Sequence, residues 1–202
     1  MEVIFTIVVL IFSVVVHEVS HGFVAEHLGD STARLAGRLT LNPLKHLDPF
    51  GSIILPLLLS LLPGGLIFGW AKPVPYNPMN LKRPERDGAL IAAAGPTANL
   101  FIAFVFALAF RAVVNFIPSA APLTNLLAGV VVVNLMLAVF NLVPIPPLDG
   151  SKVLFGFLPP SARRQWESFE RIGWLVLLIF IFFAIDLIAP VIRGLARLFL
   201  GG

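Results

Sequence analysis

The stretch "VVVHEVSHGF", residues 14–23, decides the fold because it places two histidines and a glutamate at the end of a long apolar run. That run is long enough to cross the hydrocarbon of a bilayer, which takes about 20 residues in a helix. Ionisable groups inside a membrane helix are costly and are functional by default. Snorkelling at a helix end would explain Glu26 and His27, but not three polar groups on one turn. The stretch therefore predicts a membrane protein with a site in its first helix.

The composition also indicates a membrane protein. Hydrophobic residues make up 58% of the 202 residues and charged residues only 12%, and the mean hydropathy is +0.95, well outside the range of soluble domains. The net charge is +3, but the cations lie in loops between apolar runs, where membrane topology accounts for them. We therefore expect contact with the lipid bilayer and no nucleic-acid partner. No linker or repeat divides the chain, which predicts a single domain over residues 1–202.

Four segments are apolar and long enough to span a membrane, at about 3–27, 88–111, 122–143 and 171–190. The first lacks the basic start and the cleavage site of a signal peptide, so we expect it to be retained. A fifth segment, residues 50–70, is interrupted by prolines and glycines, and it either crosses the membrane or dips in and returns. Residues 34–43 and 69–78 have no helical period and are expected to form extended strands or turns. Arg193 and Arg197 indicate an amphipathic tail or the frayed end of the last span.

The distribution of lysines and arginines favours the re-entrant alternative for residues 50–70. With re-entry, eleven of the fourteen cations lie on one side of the membrane and three on the other; with a full crossing the division is six against eight. The three are Arg111, Arg193 and Arg197. Re-entry places the loops from 29 to 87 on the cytosolic side, and such a hairpin would line a wet cavity.

The spacing of His17 and His21 predicts a metal site, since residues four apart on a helix present both imidazoles on one face. Glu18 can reach a water at that site without being a ligand. A zinc site usually needs a third protein ligand, and the chain has no cysteine. Asp149, in the proline-rich turn "NLVPIPPLDG", is the best candidate. If residues 50–70 re-enter, three crossings put Asp149 on the same side as the inner end of the first helix.

Other polar residues fit a ligand role less well. Asp186 lies near the far end of the last span, and His46 is expected to be a loop histidine. The remaining acidic candidates are in polar loops and are expected to be solvated charges: Asp48, Glu85 and Asp87.

Three asparagines in membrane segments have two possible functions, helix packing or catalysis. For Asn141, one turn before the proline break, we favour stabilisation of the oxyanion that forms when water attacks a carbonyl. For Asn134, and for Gly95 and Asn99 in "AAAGPTANL", we favour helix packing.

In order along residues 10–160, "HEVSH", "AGPTAN" and "FNLVPIPPLDG" resemble the site-2 protease family of intramembrane zinc metalloproteases, peptidase family M50. "LNPLKHLDPFG" and "GWAKPVPYNP" resemble its compact branch, without PDZ or CBS domains. The resemblance implies that His17, His21 and Asp149 bind one zinc ion per chain, with Glu18 as general base and Asn141 at the oxyanion. It also implies a small membrane-embedded β-sheet in residues 34–78, whose edge strand would capture an unwound substrate.

The expected fold is an all-α polytopic membrane protein with about four transmembrane helices, a re-entrant hairpin and this β-sheet, the last span and tail (171–202) lying outside the core. The expected function is an intramembrane zinc endopeptidase that cuts transmembrane segments of membrane proteins, in a prokaryotic cell membrane with the site towards the cytoplasm. The alternative is a zinc-binding transporter or sensor. A carrier would not require Glu18 or Asn141, and it usually shows paired half-repeats, which this sequence lacks.

Overall fold

The computed structural model describes residues 2–54, 57–58, 69–117 and 119–201. Its helices include α1 (Glu2–His27), α2 (Thr32–Leu35), α3 (Pro84–Phe116), α4 (Ala121–Asn141), α5 (Asp149–Phe157), α6 (Pro160–Glu170) and α7 (Gly173–Leu200). Short helical turns occur at Pro43–Lys45, Pro49–Ile54 and Pro78–Asn80. The expected all-α class is therefore observed in the described part of the chain.

Three of the described helices are long and apolar enough to cross a membrane, and these are α1, α3 and α4. In α7 the arms Gly173–Ile181 and Asp186–Leu200 meet at 70°, and together they qualify as a fourth span that is either broken or re-entrant. The described residues thus contain three spans, or four if the bent pair is a single span, against the expected number of about four. The predicted hairpin at residues 50–70 lies mostly outside the described residues, because positions 55–56 and 59–68 are not among them.

The prediction of a membrane-embedded β-sheet in residues 34–78 is wrong, since the described residues of this range contain no strand. Residues 69–77, which we call the extended segment, run without regular structure towards the turn at Pro78–Asn80. Pro73 and Pro75 lack the N–H group that a strand needs in order to pair with its neighbour. Because Pro73 and Pro75 are two residues apart, their nitrogens point to the same side of the extended backbone. That side therefore has no row of N–H donors for a neighbouring strand.

Three other N–H groups of the extended segment bond to groups that do not belong to a strand. The N–H of Lys72 donates to the carbonyl of His46 at 2.9 Å, and that of Asn77 donates to the carboxylate of Asp30 at 2.7 Å. The N–H of Val74 donates to the carboxylate of Glu18 at 2.9 Å. Groups of α1 and of the loops that follow it thus satisfy the amides that a neighbouring strand would otherwise satisfy.

Helix α3 lies at the centre of the molecule and packs against α1, α4, α5 and α7. Its buried face is rich in small residues, such as Ala103 and Ala107, which contact Val131 and Leu135 of α4. In a membrane, small residues let helices approach closely and gain van der Waals contact. Side chains of α7 pack on the same cluster, so the end of the chain is a packed helix and not a frayed one: Ile192, Leu195, Ala196, Phe199 and Leu200.

The extended segment and the loop after α2 meet the predicted metal-binding motif near the C-terminal end of α1. Gly22 follows His21 directly, and a Cβ at this position would lie 2.6 Å from Leu39 Cδ2 and 2.9 Å from Val74 Cγ1. These distances are too short for a side chain, so only glycine lets both segments lie against α1 here.

Candidate metal centre

Three predicted ligands converge near the C-terminal end of α1. The Nε2 atom of His17 lies 3.0 Å from Oδ2 of Asp149, and Nε2 of His21 lies 3.3 Å from the same oxygen. One ligand atom from each residue lies within 4.8 Å of the others. His17 is only 6% exposed. The structure thus brings together, at bonding range of a single ion, the two histidines of one helix and an aspartate 128 positions after His21.

Hydrogen bonds on the far side of each ring decide which nitrogen faces this centre. The Nδ1 atom of His17 lies 2.6 Å from Oδ1 of Asn99, and Nδ1 of His21 lies 2.6 Å from the carbonyl oxygen of Ile91. Both oxygens can only accept a hydrogen bond, so each Nδ1 carries the ring proton and donates the hydrogen bond. In the neutral imidazoles, Nε2 then has an unshared electron pair directed at Asp149.

Two nitrogen lone pairs and a carboxylate oxygen repel one another unless a proton or a metal cation lies between them. The donor set of two imidazoles and one carboxylate is one that zinc takes in catalytic sites, where three protein ligands leave a fourth position open. The residues present therefore fit a zinc ion of the catalytic kind.

Gly95 of α3 closes one side of the centre. A Cβ at this position would lie 2.6 Å from Nε2 of His17 and 2.6 Å from Nε2 of His21. Any side chain would therefore occupy the space that an ion needs. The sequence favours helix packing for Gly95 and Asn99, whereas the structure places both against the ligands. Their spacing of four residues on one helix is the signal that could have indicated this.

The turn between α4 and α5 positions Asp149. Prolines after Asn141 end α4, and Asp149 is the first residue of α5. A Cβ on the next residue, Gly150, would lie 2.2 Å from the carbonyl oxygen of Leu142. The chain can fold back on the end of α4 only with glycine at this position, and this packing aims the preceding aspartate at α1.

A cavity of about 160 Å³ adjoins the three ligands and is lined by Glu18, Val74 and Asn141, among others. The Glu18 carboxylate is held there by the Val74 N–H, and Tyr76 and Lys152 form part of the same wall. Asn141 donates one N–H of its amide to the carbonyl of Leu137 at 2.9 Å. An amide has two N–H donors, so the second can serve a group in the cavity.

The other candidate ligands lie elsewhere. They are Asp48, Glu85, Asp87, Asp186 and His46, and none belongs to the ligand group found among the described residues. The expectation of a solvated charge is wrong for Asp87, which is 2% exposed and accepts a hydrogen bond from the N–H of Arg83 at the start of α3. His46 lies in a loop but is also buried, and its Nε2 is 2.9 Å from the carbonyl oxygen of Thr40. Asn134 bonds to Asn99 and not to the cavity.

Fold and site together define a class: a polytopic membrane protein in which two histidines and an aspartate could hold a metal ion, beside a small cavity and a glutamate. The chain belongs to peptidase family M50, because the sequence model of the family described as "Peptidase family M50" matches residues 5–117 and 113–184.

Relatives of known sequence agree with this assignment. The chain is 40% identical over 180 residues to "Putative zinc metalloprotease YwhC" of Bacillus subtilis, an alignment that covers 87% of this chain and 78% of the relative. It is 34% identical over 182 residues to "Putative zinc metalloprotease Rip2" of Mycobacterium tuberculosis, covering 90% of this chain and 66% of the relative. No solved structure matches the chain significantly.

The family and the names of these relatives confirm the prediction of an intramembrane zinc metalloprotease, and they do not favour the alternative of a transporter or sensor. The apolar helices confirm a membrane protein. The roles of the individual site residues, the number of zinc ions, the substrates and the orientation in the membrane stay predictions.

Proposed function

We propose that this chain is an endopeptidase that holds one zinc ion and cleaves peptide bonds within or near the transmembrane segments of other membrane proteins. The observation that carries the proposal is the convergence of His17, His21 and Asp149 beside the Glu18 carboxylate, in a small cavity at the end of an apolar helix. A carrier does not require a base next to its ligands. A hydrolase needs one within reach of its water.

The residues of the cavity divide the chemistry among them. Zinc, when bound by His17, His21 and Asp149, acidifies water and polarises a peptide carbonyl. Glu18 takes the proton of the attacking water and returns it to the leaving amine. The hydrogen bond from Val74 fixes one oxygen of Glu18 and leaves the other for the proton. Asn141 donates its second N–H to the oxygen that gains negative charge.

The cavity selects an extended substrate. A volume of about 160 Å³ cannot admit an intact helix, which is about 10 Å wide with its side chains. A transmembrane helix must therefore unwind locally before its carbonyl reaches the centre. Pro73, Val74 and Tyr76 of the extended segment form a wall of the cavity, and an unwound peptide would lie along this wall.

The distribution of lysines and arginines supports an orientation of the protein in the membrane. Eleven of the fourteen lysines and arginines fall on the side that carries the cavity if residues 50–70 do not cross the membrane, and cytoplasmic loops carry this excess. The Bacillus and Mycobacterium relatives support a prokaryotic cell membrane. We therefore propose that the centre opens towards the cytoplasm.

Reconstitution in liposomes tests the proposal. The full chain is incorporated with a panel of single-span peptides, and mass spectrometry identifies the products before zinc is removed by a chelator, after its removal and after zinc is restored. Cleavage within or near the spans that follows the zinc content supports the proposal. Zinc flux across the liposome without cleavage would contradict it and favour a carrier.

A further inference from the structure

Hydrogen bonds through two buried asparagine side chains connect the proposed metal ligand His17 with two other helices. Oδ1 of Asn99 on α3 lies 2.6 Å from Nδ1 of His17, and the amide nitrogen of Asn99 donates to Oδ1 of Asn134 on α4 at 2.9 Å. Asn99 and Asn134 are both 0% exposed. Buried amides without a function in a membrane bundle need only pair with one another, whereas this pair ends on a ligand of the metal.

The contacts of Asn134 fix which way its amide points. Its nitrogen donates to the hydroxyl of Ser13 at 3.0 Å and to the carbonyl of Val130 at 2.9 Å. Both N–H groups are thus used on oxygens other than that of Asn99. Its oxygen is left for Asn99, because the reversed amide would set its nitrogen against the Asn99 nitrogen and its oxygen against the carbonyl of Val130.

The orientation of Asn134 determines that of Asn99. The Asn99 nitrogen has two acceptors, Oδ1 of Asn134 and the carbonyl oxygen of Ser13 at 3.3 Å. Its oxygen is then directed at Nδ1 of His17, where it can accept a hydrogen bond but not donate one. A flipped Asn99 would place its oxygen opposite Oδ1 of Asn134 and the carbonyl oxygen of Ser13, and acceptors that face one another in a buried, apolar environment are costly.

We propose that Asn99 and Asn134 are positioning residues that hold His17 as the Nδ1–H tautomer and keep its Nε2 lone pair directed at the metal. The inference rests on the proposed zinc site, and it gives Asn134 a function beyond the helix packing that the sequence suggested. Neither asparagine contacts the metal or the substrate. Each acts through the ligand, as outer partners of zinc-bound histidines do.

Zinc affinity tests this function in the full chain in detergent, by competition with a chelator. Loss of such an outer partner typically costs about 10- to 100-fold in metal affinity. We expect a loss of this size for Asn99→Leu, which removes the acceptor at similar volume, and a smaller loss for Asn134→Leu, which frees Asn99 to turn. Asn99→Asp keeps an acceptor opposite His17 and should retain most of the affinity.

Thr97→Val is the matched control. Thr97 lies on the same helix, is exposed, and bonds to the carbonyl of Ala93 one turn earlier, at 2.7 Å. This substitution should leave the zinc affinity unchanged. Wild-type affinity in Asn99→Leu, or an equal loss in Asn99→Asp and Asn99→Leu, would overturn the inference, because a packing role makes no difference between an acceptor and a methyl group.

The wild-type protein provides a second measurement if the leucine variants do not fold. Nitrogen NMR of the zinc-loaded chain with labelled histidine should show the proton of His17 on Nδ1 and the metal on Nε2. The reverse assignment would overturn the inference. Neither measurement depends on proteolysis, so an inactive protein with this tautomer and this affinity pattern would contradict the proposed protease and leave the role of the amides intact.

Discussion

The backbone N–H of Val74 donates to the carboxylate of Glu18 at 2.9 Å. This bond joins the extended segment to the residue next to the first metal ligand. Val74 is itself 7% exposed and packs against Gly22 of the same helix as Glu18. The proposed base and one wall of the substrate cavity are therefore fixed to each other. A substitution in the extended segment should thus change the rate of cleavage without changing zinc binding.

Val74→Pro removes this donor, and Val74→Ala keeps it. Because Glu18 loses this hydrogen bond only in the proline variant, we expect kcat to fall about tenfold or more there, a part of the roughly 100- to 10,000-fold that a positioned base contributes. The zinc content should stay at the wild-type level in both variants. Steady-state cleavage of a membrane peptide and metal analysis measure the two effects, and equal kcat values in the two variants would contradict the role of the hydrogen bond.

Gly95→Ala should abolish zinc binding, since its methyl group would lie 2.6 Å from Nε2 of both histidine ligands. Gly194→Ala on α7 is the control, because a Cβ there meets no atom within 4 Å. Metal analysis after purification should show wild-type zinc in the control and little or none in Gly95→Ala. A full zinc complement in both variants would contradict the position of α3 against the space that the zinc ion occupies.

Asn141→Ala should lower kcat by about 100-fold, the typical cost of removing one oxyanion donor. KM and zinc content should change little, because the amide acts on charge that forms only in the transition state. Asn141 also donates to Leu137 within its own helix, so a thermal melt in detergent is needed to separate catalysis from folding. An unchanged kcat in a folded variant would exclude this role.

Asp30 provides a prediction about stability and pH. Its carboxylate is 0% exposed and joins the loop after α1 to the turn at Pro78–Asn80. Burial alone raises the pKa of Asp30, but hydrogen bonds from Thr32, Asn80 and the Asn77 N–H outweigh it and hold the pKa below its usual range.

Because the folded pKa is the lower one, Asp30 contributes stability at pH values above the unfolded pKa of about 3.9. That contribution is lost as the pH falls through the folded value. We expect Asp30→Asn to lower the free energy of unfolding by about 2 kcal/mol at pH 7, the scale of one hydrogen bond to a charged group. The difference from wild type should shrink towards acidic pH, below the unfolded pKa. Melting curves of both proteins across this range test it, and a difference independent of pH would contradict the assignment.

The sequence predicted the ligands better than the backbone around them. The four-residue spacing of His17 and His21 requires only a helix, and Asp149 is the acidic residue that follows the proline break. The role of Gly95 was harder to predict, because a missing side chain gives no sign of which neighbour it makes room for. The β-sheet was expected from the family resemblance and proved wrong. The pattern of residues 69–77 did not exclude it, because extended backbone looks the same in sequence whether strands or side chains satisfy its amides.

The measurement that tests the central claim most directly compares wild type with Glu18→Gln, in zinc content and in cleavage of the same liposome-embedded peptide. The substitution keeps the shape of the side chain and the acceptor for Val74 but removes the base. We predict equal zinc in the two proteins and loss of cleavage by a factor of about 100 or more, the scale of general base catalysis. Cleavage at the wild-type rate by zinc-loaded Glu18→Gln would contradict the proposed mechanism.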